Sequence, residues 1–487
     1  MADVEMTAIN IEHGNCLKIA VPSTAYSLLI DNGRVPSEVE LPEDPCRYPA
    51  PGLPPIDPEQ TVFGRLKPYF GRDEQVHQFL SHCHLDHIGG LRALRYLSDE
   101  LGFKTNTYMT RFAAEVAASR DFYQLPKQMG ARSEFFQTGY YTQVPGRAIS
   151  VGEDFRVIAH QVCHSTPTSH IFEIETPAGP IVWLMDFTFG RYSEQQRQQT
   201  ADMLQRIGQK RPRVAFVEAL YSSRPDPDFT PLETRVWECF ENILRQAQGL
   251  GKRVIIAQFG SNVDRSMATL ALAERLDIST RLMGAPWMYL QAAQLAKVEF
   301  QKGWSPTRPF YDNIPPEDSE LLIVSGCQAE PFAVLPRSVG LDSDDEAATG
   351  MVYTPSKYGL DLGPDDIIVL SSTPIPCNWN RVIKMISLIL ARGCQVILPN
   401  ELASRREFHF SNHPNCRNVS FEQTHVSGHE GWFGIRTALE LLRPEYVVPF
   451  HGDATQRSQL AQNITQELPD IRIQMIEEGE TISLPTS

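Results

Sequence analysis

The order of apolar and polar residues predicts short strands at the start of the chain. Residues 7–11 and 26–33 alternate between the two kinds, as half-buried strands do. The proline-rich stretch from 35 to about 60 predicts an irregular surface insertion. An apolar run at 76–80 predicts a strand that ends in a histidine-rich turn, after which a pair of glycines opens a helical pattern. A mixed helical region is expected from there to about residue 147.

The rest of the chain alternates between apolar strands and helical segments. A hairpin is expected at 171–186. Further strands are expected at 214–217, 253–257, 321–324, 366–370, 395–398 and 446–450. Helical patterns between them, such as the one at 261–274, are typical of a parallel sheet. The pattern therefore predicts an α/β protein.

Length and composition narrow the class of protein. A chain of 487 residues is too long for one ordinary core, so two domains or one large interrupted domain are expected. The chain has 42% hydrophobic and 21% charged residues, no bilayer-length apolar run and no signal-peptide pattern. Its nine cysteines are scattered without a repeated spacing. These features predict a globular cytoplasmic protein with reduced thiols.

The net charge of −15 bears on possible partners. A protein that binds a long polyanion usually carries a basic surplus, because neutralised phosphates supply much of the affinity. The charge therefore counts against nucleic-acid binding through the whole surface. It leaves open a local basic channel.

The histidine-rich turn carries the strongest chemical signal. His82, His84, Asp86 and His87 fall within six residues, and neutral imidazoles with a carboxylate suit zinc, with manganese or iron as second choices. In a short turn the first two residues can face one metal ion and the last two a second one. Such metal pairs, about 3.5–4 Å apart, commonly hydrolyse phosphate esters. The alternative is a polar turn that is rich in histidine by chance.

Other polar residues follow predicted strands. Asp186 and Glu218 end apolar strands, where a carboxylate is costly to desolvate unless it is paired or binds a metal. Asp186 is well placed to bridge two cations. Three turns in the parallel-sheet region resemble a ligand crevice at the carboxyl ends of strands, although each turn alone is weak evidence. They are Ser261-Asn262, Ser325-Gly326 and Ser371-Ser372.

Several motifs together resemble a known family. The His-x-His-x-Asp-His turn is similar to that of metallo-β-lactamase hydrolases, and later segments resemble the β-CASP nuclease branch, most closely ribonuclease J. These segments lie at 259–265, 325–331, 371–376, 425–429 and 449–453. The resemblance implies a metallo-β-lactamase αββα sandwich, formed by residues 1–218 and 422–487, with an inserted β-CASP α/β domain at 219–421. Substrate would enter a cleft where the two domains meet.

The resemblance also implies roles for individual residues. It implies two divalent ions, with Zn²⁺ favoured over Mn²⁺. One ion would be held by His82, His84 and His164, the other by Asp86, His87 and His451, with Asp186 as the bridge. Asp86 would then belong to the catalytic centre together with Glu218 and His429, which match two further acid–base positions of the family. The alternative for the last two is a structural hydrogen-bonded pair.

The function predicted from these features is a two-metal phosphodiesterase that cuts RNA to 5′-phosphate and 3′-hydroxyl products. The alternatives are a phosphodiesterase on DNA or a small nucleotide, and a regulatory or assembly subunit with weak activity. RNA is favoured over DNA, no membrane partner is expected, and a homodimer or protein complex is left open. The residues expected to contact substrate are Ser261, Asn262, Ser325, Gly326, Ser371, Ser372, His425 and Ser427.

The chain departs from the family pattern at positions expected to recognise substrate, whereas the expected metal ligands are all present. The chain is expected to lack the C-terminal domain usual in ribonuclease J. Positions that would bind a terminal 5′ phosphate are Ala285, Pro286 and Gly431, which offer no charge or hydroxyl. Weak discrimination between 5′ ends and mainly endonucleolytic cutting are therefore expected. His170 is not expected to bind metal, although it could contact a ligand. Cys83 and Cys163 are expected to point away from the metals.

Overall fold

The computed structural model describes most of the 487-residue chain. The described residues are 3–12, 14–33, 61–124, 140–224, 228–299, 320–330, 333–341, 360–375 and 378–486. The proline-rich stretch at 35–60, for which a surface insertion is predicted, lies outside them. So do Pro331 and Pro376, the last residues of two of the motifs above.

The chain divides into two compact units. The first runs to Thr230 and resumes at Gly428, and the second covers Pro231–Ser427. Among the described residues, the inserted unit is continuous in sequence, whereas the first unit is built from both ends of the chain. The domain limits at 218 and 422, implied by the family resemblance, stay a prediction.

The first unit contains two seven-stranded sheets. The first sheet has the order β20-β1-β2-β3-β4-β5-β6, and β3 to β6 are parallel, so their carboxyl ends lie at one edge. Its strands are β1 (Val4–Asn10), β2 (Cys16–Ala20), β3 (Tyr26–Ile30), β4 (Gln75–Phe79), β5 (Lys104–Met109), β6 (Tyr140–Thr142) and β20 (Thr481–Leu484).

The second sheet mixes antiparallel and parallel strands. Its order is β19-β18-β11-β10-β9-β8-β7, with β10, β11 and β18 running parallel. Its strands are β7 (Ala148–Val151), β8 (Phe155–Val162), β9 (Ser169–Glu175), β10 (Ile181–Leu184), β11 (Val214–Glu218), β18 (Tyr446–Phe450) and β19 (Arg472–Ile473).

The two sheets pack face to face with helices on their outer sides. Large buried side chains such as Phe79, Phe172 and Trp183 fill the space between the sheets. On the outer side of the first sheet, a hydrophobic cluster packs Leu94 against β4. On the outer side of the second sheet, another hydrophobic cluster packs Leu439 against β11. The helices are α1 (Val62–Leu66), α2 (Leu85–Ile88), α3 (Leu91–Leu101), α4 (Arg111–Gln124), α5 (Glu194–Gly208), α11 (Trp432–Leu442) and α12 (Ala454–Glu467).

The second unit is built on a six-stranded parallel sheet with hydrophobic clusters on both faces. Its spatial order is β13 (Thr280–Met283), β14 (Leu321–Val324), β12 (Arg253–Ala257), β15 (Asp366–Leu370), β16 (Gln395–Pro399) and β17 (Val419–Glu422). Its helices are α6 (Thr234–Leu250), α7 (Val263–Arg275), α8 (Ala285–Ala296), α9 (Val334–Ser338) and α10 (Trp379–Ala391). Short 3₁₀ turns occupy Lys67–Tyr69 in the first unit and Asn400–Leu402, Arg406–His409 and Cys416–Asn418 in the second.

The architecture confirms the predicted αββα sandwich with an inserted parallel sheet. The prediction of a mixed helical region up to residue 147 missed β5 and β6. The side chains of β5 are half-exposed up to Thr107, and β6 has only three residues, so neither shows an apolar run. Among the described residues, no helix combines the length and the apolar character needed to cross a bilayer.

Candidate metal centre

The histidine-rich turn leaves the carboxyl end of β4 and is held by backbone hydrogen bonds. The Asp86 carbonyl accepts from Asn15 N at 2.7 Å, and the His87 carbonyl accepts from Asn32 N at 2.7 Å. Gly33 must be a glycine here, because a Cβ atom on it would lie 1.7 Å from the Asp86 carbonyl oxygen. The turn is therefore fixed by strand ends far away in sequence.

The first ligand group consists of His82, His84, His164 and Asp186, whose ligand atoms all lie within 4.8 Å of one another. Nδ1 of His84 lies 3.0 Å from Nε2 of His82 and 3.1 Å from Nε2 of His164. Ligands bound tetrahedrally at about 2.0–2.1 Å from one zinc ion would be roughly 3.3 Å apart. The spacing of the three imidazoles thus fits one shared ion.

Burial keeps these three imidazoles neutral, the form that binds metal. It lowers the pKa of His84 to about 4. Burial, together with neighbouring imidazoles, also lowers the pKa of His82 and His164 well below the usual range.

The second ligand group consists of Asp86, His87, His451 and the shared Asp186. His451 Nε2 lies 3.3 Å from Asp86 Oδ2, and His87 Nε2 lies 3.3 Å from Asp186 Oδ2. Burial opposes a charged imidazole, but the Asp186 and Asp86 carboxylates outweigh it and raise the pKa of His451 to about 10. Burial likewise opposes ionisation of Asp186, yet the neighbouring imidazoles hold its pKa well below the usual range.

Two buried atoms in this group test whether the site fits a metal ion. Asp186 Oδ1 and His451 Nδ1 lie 2.8 Å apart without hydrogen-bonding geometry, and neither has a hydrogen-bond partner among the described residues. Both residues follow strand ends and have left-handed backbones, each with φ 47°. Buried polar atoms without a hydrogen bond and strained backbones are costly unless a ligand compensates for them. The donor set therefore fits divalent cations.

Asp31 orients the candidate ligand His87, and none of the sequence patterns above singled it out. Its buried carboxylate accepts from His87 Nδ1 at 2.8 Å, Trp183 Nε1 at 3.0 Å and Ser81 N at 2.7 Å. These bonds turn Nε2 of His87 toward Asp186. Asp31 directly follows the apolar strand β3. The strand-end rule used for Asp186, that a carboxylate after an apolar strand is costly to desolvate unless it is paired or binds a metal, would have found it.

Glu218 and His429 form a close pair beside the ligands. His429 Nδ1 lies 2.6 Å from Glu218 Oε2, and both residues form a third cluster with Asp186. Burial opposes protonation of His429, but Glu218 and Asp186 raise its pKa above the usual range. His164 lies against the same segment, since its Nδ1 donates to the Gly428 carbonyl at 2.7 Å.

A second buried carboxylate missed by the sequence analysis, Glu430, ties this segment to the Asp186 loop. It accepts from Phe189 N at 2.8 Å and from Thr230 N at 3.0 Å. The Thr230 hydroxyl in turn donates to the His429 carbonyl at 3.0 Å. Nothing in the local pattern marks Glu430, because its partners are far away in sequence.

The residues predicted to contact substrate lie in the second unit, and several of their side chains bond within it. The Ser371 hydroxyl donates to the Thr424 carbonyl at 2.7 Å, Ser372 accepts from Gln328 Nε2 at 3.2 Å, and Ser325 accepts from Val334 N at 3.3 Å. Their assignment to substrate binding stays a prediction, as it does for Ser261, Asn262, Gly326, His425 and Ser427.

The remaining candidates lie outside the three clusters. His170 is buried on β9, and burial lowers its pKa to about 4. Its two ring nitrogens have no hydrogen-bond partner in the described ranges. Sγ of Cys83 lies 3.2 Å from the Thr166 hydroxyl, and Cys163 pairs with Thr188 in an isolated bridge.

Comparisons with known proteins agree with this architecture. Residues 417–476 match the family described as "RMMBL: Zn-dependent metallo-hydrolase RNA specificity domain". The chain is 23% identical to "Ribonuclease J" of Helicobacter pylori (strain B128) over 97% of its own length and 59% of the relative. It is also 23% identical to "Ribonuclease J" of Pyrococcus abyssi over 80% of its own length and 76% of the relative. It therefore spans less than two thirds of the Helicobacter protein.

One solved structure has the same fold. The "Protein of Unknown Function from Enterococcus faecalis V583" superposes with a TM-score of 0.61 at 16% identity, covering 99% of this chain and 100% of that chain. The αββα sandwich with histidines and aspartates at its sheet edge defines the metallo-β-lactamase class of metal-dependent hydrolases. Within that class, the inserted parallel sheet and the sequence similarity to the ribonucleases J named above make this chain similar to the β-CASP branch.

Proposed function

We propose that this protein is a two-metal ribonuclease that hydrolyses phosphodiester bonds in RNA and leaves 5′-phosphate and 3′-hydroxyl ends. The observation that carries the proposal is the pair of ligand clusters that share Asp186. A shared carboxylate implies two ions side by side, as in enzymes that act on phosphate esters.

The residues present supply two complete ligand sets. His82, His84 and His164 would hold one ion, and Asp86, His87 and His451 the other, with Asp186 between them. Zn²⁺ suits this mixture of imidazoles and carboxylates, and Mn²⁺ is the second choice. When bound, the ions would activate water and neutralise charge on the phosphate.

The protein's own residues complete the chemistry. Glu218 hydrogen-bonds Nδ1 of His429. This bond orients the other ring nitrogen, Nε2, for proton transfer. His429 protonates the leaving 3′ oxygen or stabilises the charge on it. Asp31 keeps His87 in one orientation throughout the reaction.

RNA is proposed as the substrate on the strength of the relatives. The matched family is described by RNA specificity, and the curated relatives are named ribonucleases. The net charge of −15 means that phosphates must be bound by local groups rather than by an overall basic surface.

The test is a cleavage assay on labelled nucleic acids. Purified protein with Zn²⁺ or Mn²⁺ is incubated with 5′- and 3′-labelled RNA and with DNA of the same sequence. We expect RNA to be cut internally, with 5′-phosphate and 3′-hydroxyl products. RNAs that differ only in a 5′-monophosphate or 5′-hydroxyl should be cut at rates within about tenfold of each other.

Matched variants distinguish RNA cleavage by this protein from cleavage by a contaminating nuclease. Asp86→Ala should abolish cleavage, whereas Asp99→Ala, at an exposed position on α3, should not change it. Preferential cleavage of DNA, or cleavage of RNA that survives Asp86→Ala, would contradict the proposal.

A further inference from the structure

Three aromatic rings stack across neighbouring strands of the first sheet. The ring centroids of Phe79 on β4 and Tyr108 on β5 are 4.5 Å apart with an interplanar angle of 7°. Those of Tyr108 and Tyr141 on β6 are 5.0 Å apart at 23°. Phe79 also contacts the edge of Phe172 in the second sheet. The stack thus runs from the sandwich core across the sheet.

Among the described residues, nothing stacks on the outer end of this group of rings. Because β6 is the last strand of the sheet, the outer face of Tyr141 has no neighbouring strand among the described residues. Phe79 is 1% exposed and Tyr108 9%, but Tyr141 is 55% exposed. A rigid ring with one face free can accept another flat ring.

Tyr141 lies at the same sheet edge as the metal ligands. The strands β4, β5 and β6 are parallel, and β4 leads directly into the turn that holds His82. The strand β6 is two strands from β4, which corresponds to roughly 10 Å. Thr110, directly after β5, accepts a hydrogen bond from Thr168 at 3.1 Å, in the loop that follows His164.

We propose that Tyr141 is a stacking platform for a base of single-stranded RNA near the bond that is cut. The proposal rests on the proposed ribonuclease function and adds a subsite to it. Every base has a flat face, so stacking tolerates any sequence and needs no basic surplus.

The test compares RNA binding by four proteins in chelator, so that the RNA stays intact: wild type, Tyr141→Ala, Tyr141→Phe and Tyr96→Ala. Tyr96 is the matched control, because it is also 55% exposed but lies on the outer helix α3. We expect Tyr141→Ala to weaken binding of a short labelled single-stranded RNA about tenfold, or about 1.4 kcal/mol. The other two variants should bind like the wild type.

An abasic scan then locates the base. One abasic position should weaken binding to the wild type but not to Tyr141→Ala. Two results would contradict the proposed stacking role of Tyr141: equal RNA binding by wild type and Tyr141→Ala, or an abasic scan in which both proteins respond alike at every position. Neither result would contradict the ribonuclease proposal. A wild type that neither binds nor cuts RNA would overturn both proposals.

Discussion

Two sheet edges in this protein carry polar residues at strand ends, but they use them differently. At the edge of the sandwich, imidazoles and carboxylates converge. Two buried atoms there, Asp186 Oδ1 and His451 Nδ1, have no hydrogen-bond partner within the part of the chain that the structure describes. At the edge of the inserted sheet, Arg265 donates to Glu233, to the carbonyl and hydroxyl of Ser371 and to the Val426 carbonyl.

The difference lies in the balance of donors and acceptors. The sandwich edge collects lone pairs from ionised carboxylates and from the three imidazoles that burial keeps neutral, so a cation would complete it. The inserted edge has a guanidinium with up to five N–H donors among carboxylate, hydroxyl and carbonyl acceptors, so it is completed from within. Polar strand ends alone therefore do not identify a ligand site.

The largest effect is expected from removing an acceptor at the sandwich edge. Asp86→Ala or His87→Ala should lower the rate of RNA cleavage by about 10⁴-fold or more, because several kcal/mol of transition-state stabilisation depend on the metals. Elemental analysis should show fewer than the two ions per chain expected for the wild type. Full metal content in both variants would mean that these residues are not ligands.

The next largest effect concerns stability at the inserted edge. Arg265 and Glu233 are 1% and 0% exposed, so Arg265→Met leaves a buried carboxylate without its cation. We expect a loss of about 3–5 kcal/mol in the free energy of unfolding.

The double variant Arg265→Met/Glu233→Met provides the control for that loss. It should recover part of the stability in urea unfolding, since no charge remains buried and unpaired. A double variant less stable than Arg265→Met would show that the charge is not the cause.

A smaller effect is expected for the residue beside the metals. His429→Ala should slow cleavage by roughly 10²–10³-fold while metal content stays at the wild-type level. Single-turnover rates and elemental analysis of the same preparation provide the check. Loss of metal together with activity would place His429 among the ligands, as its proximity to Asp186 in the third cluster allows.

The smallest effect on stability is expected at Glu173, which pairs with His160 and Lys210 away from both sheet edges. Burial disfavours ionised Glu173, but His160 and Lys210 outweigh it and lower the Glu173 pKa. A carboxylate with a lowered folded pKa stabilises the protein above its unfolded pKa of about 4.3, and this contribution disappears as pH falls through the folded pKa. Glu173→Gln should therefore cost about 1 kcal/mol at pH 7.

The pH dependence distinguishes that cause from packing. The difference in unfolding free energy between wild type and Glu173→Gln should shrink as pH falls below about 4. A difference that keeps its pH 7 value as the pH falls from about 4 to about 2 would rule out the ion pair as its source.

The sequence by itself determined the parts of the site that depend on local spacing. Four candidate ligands lie between His82 and His87, and their pattern is visible because six residues suffice to display it. The strand-end rule singled out Asp186 and Glu218, since a carboxylate after an apolar strand has an evident cost. The structure places the ligand atoms of these residues in three clusters that share Asp186.

Only the tertiary structure decided which distant groups meet. Asp31 reaches His87, and Glu430 joins Phe189 to Thr230, through contacts between segments with no common local pattern. Sheet order exposes the ring of Tyr141, while Ser371 bonds to Thr424 within its own sheet edge. Whether a polar side chain is satisfied depends on what packs against it, and the residues that pack against it come from elsewhere in the chain.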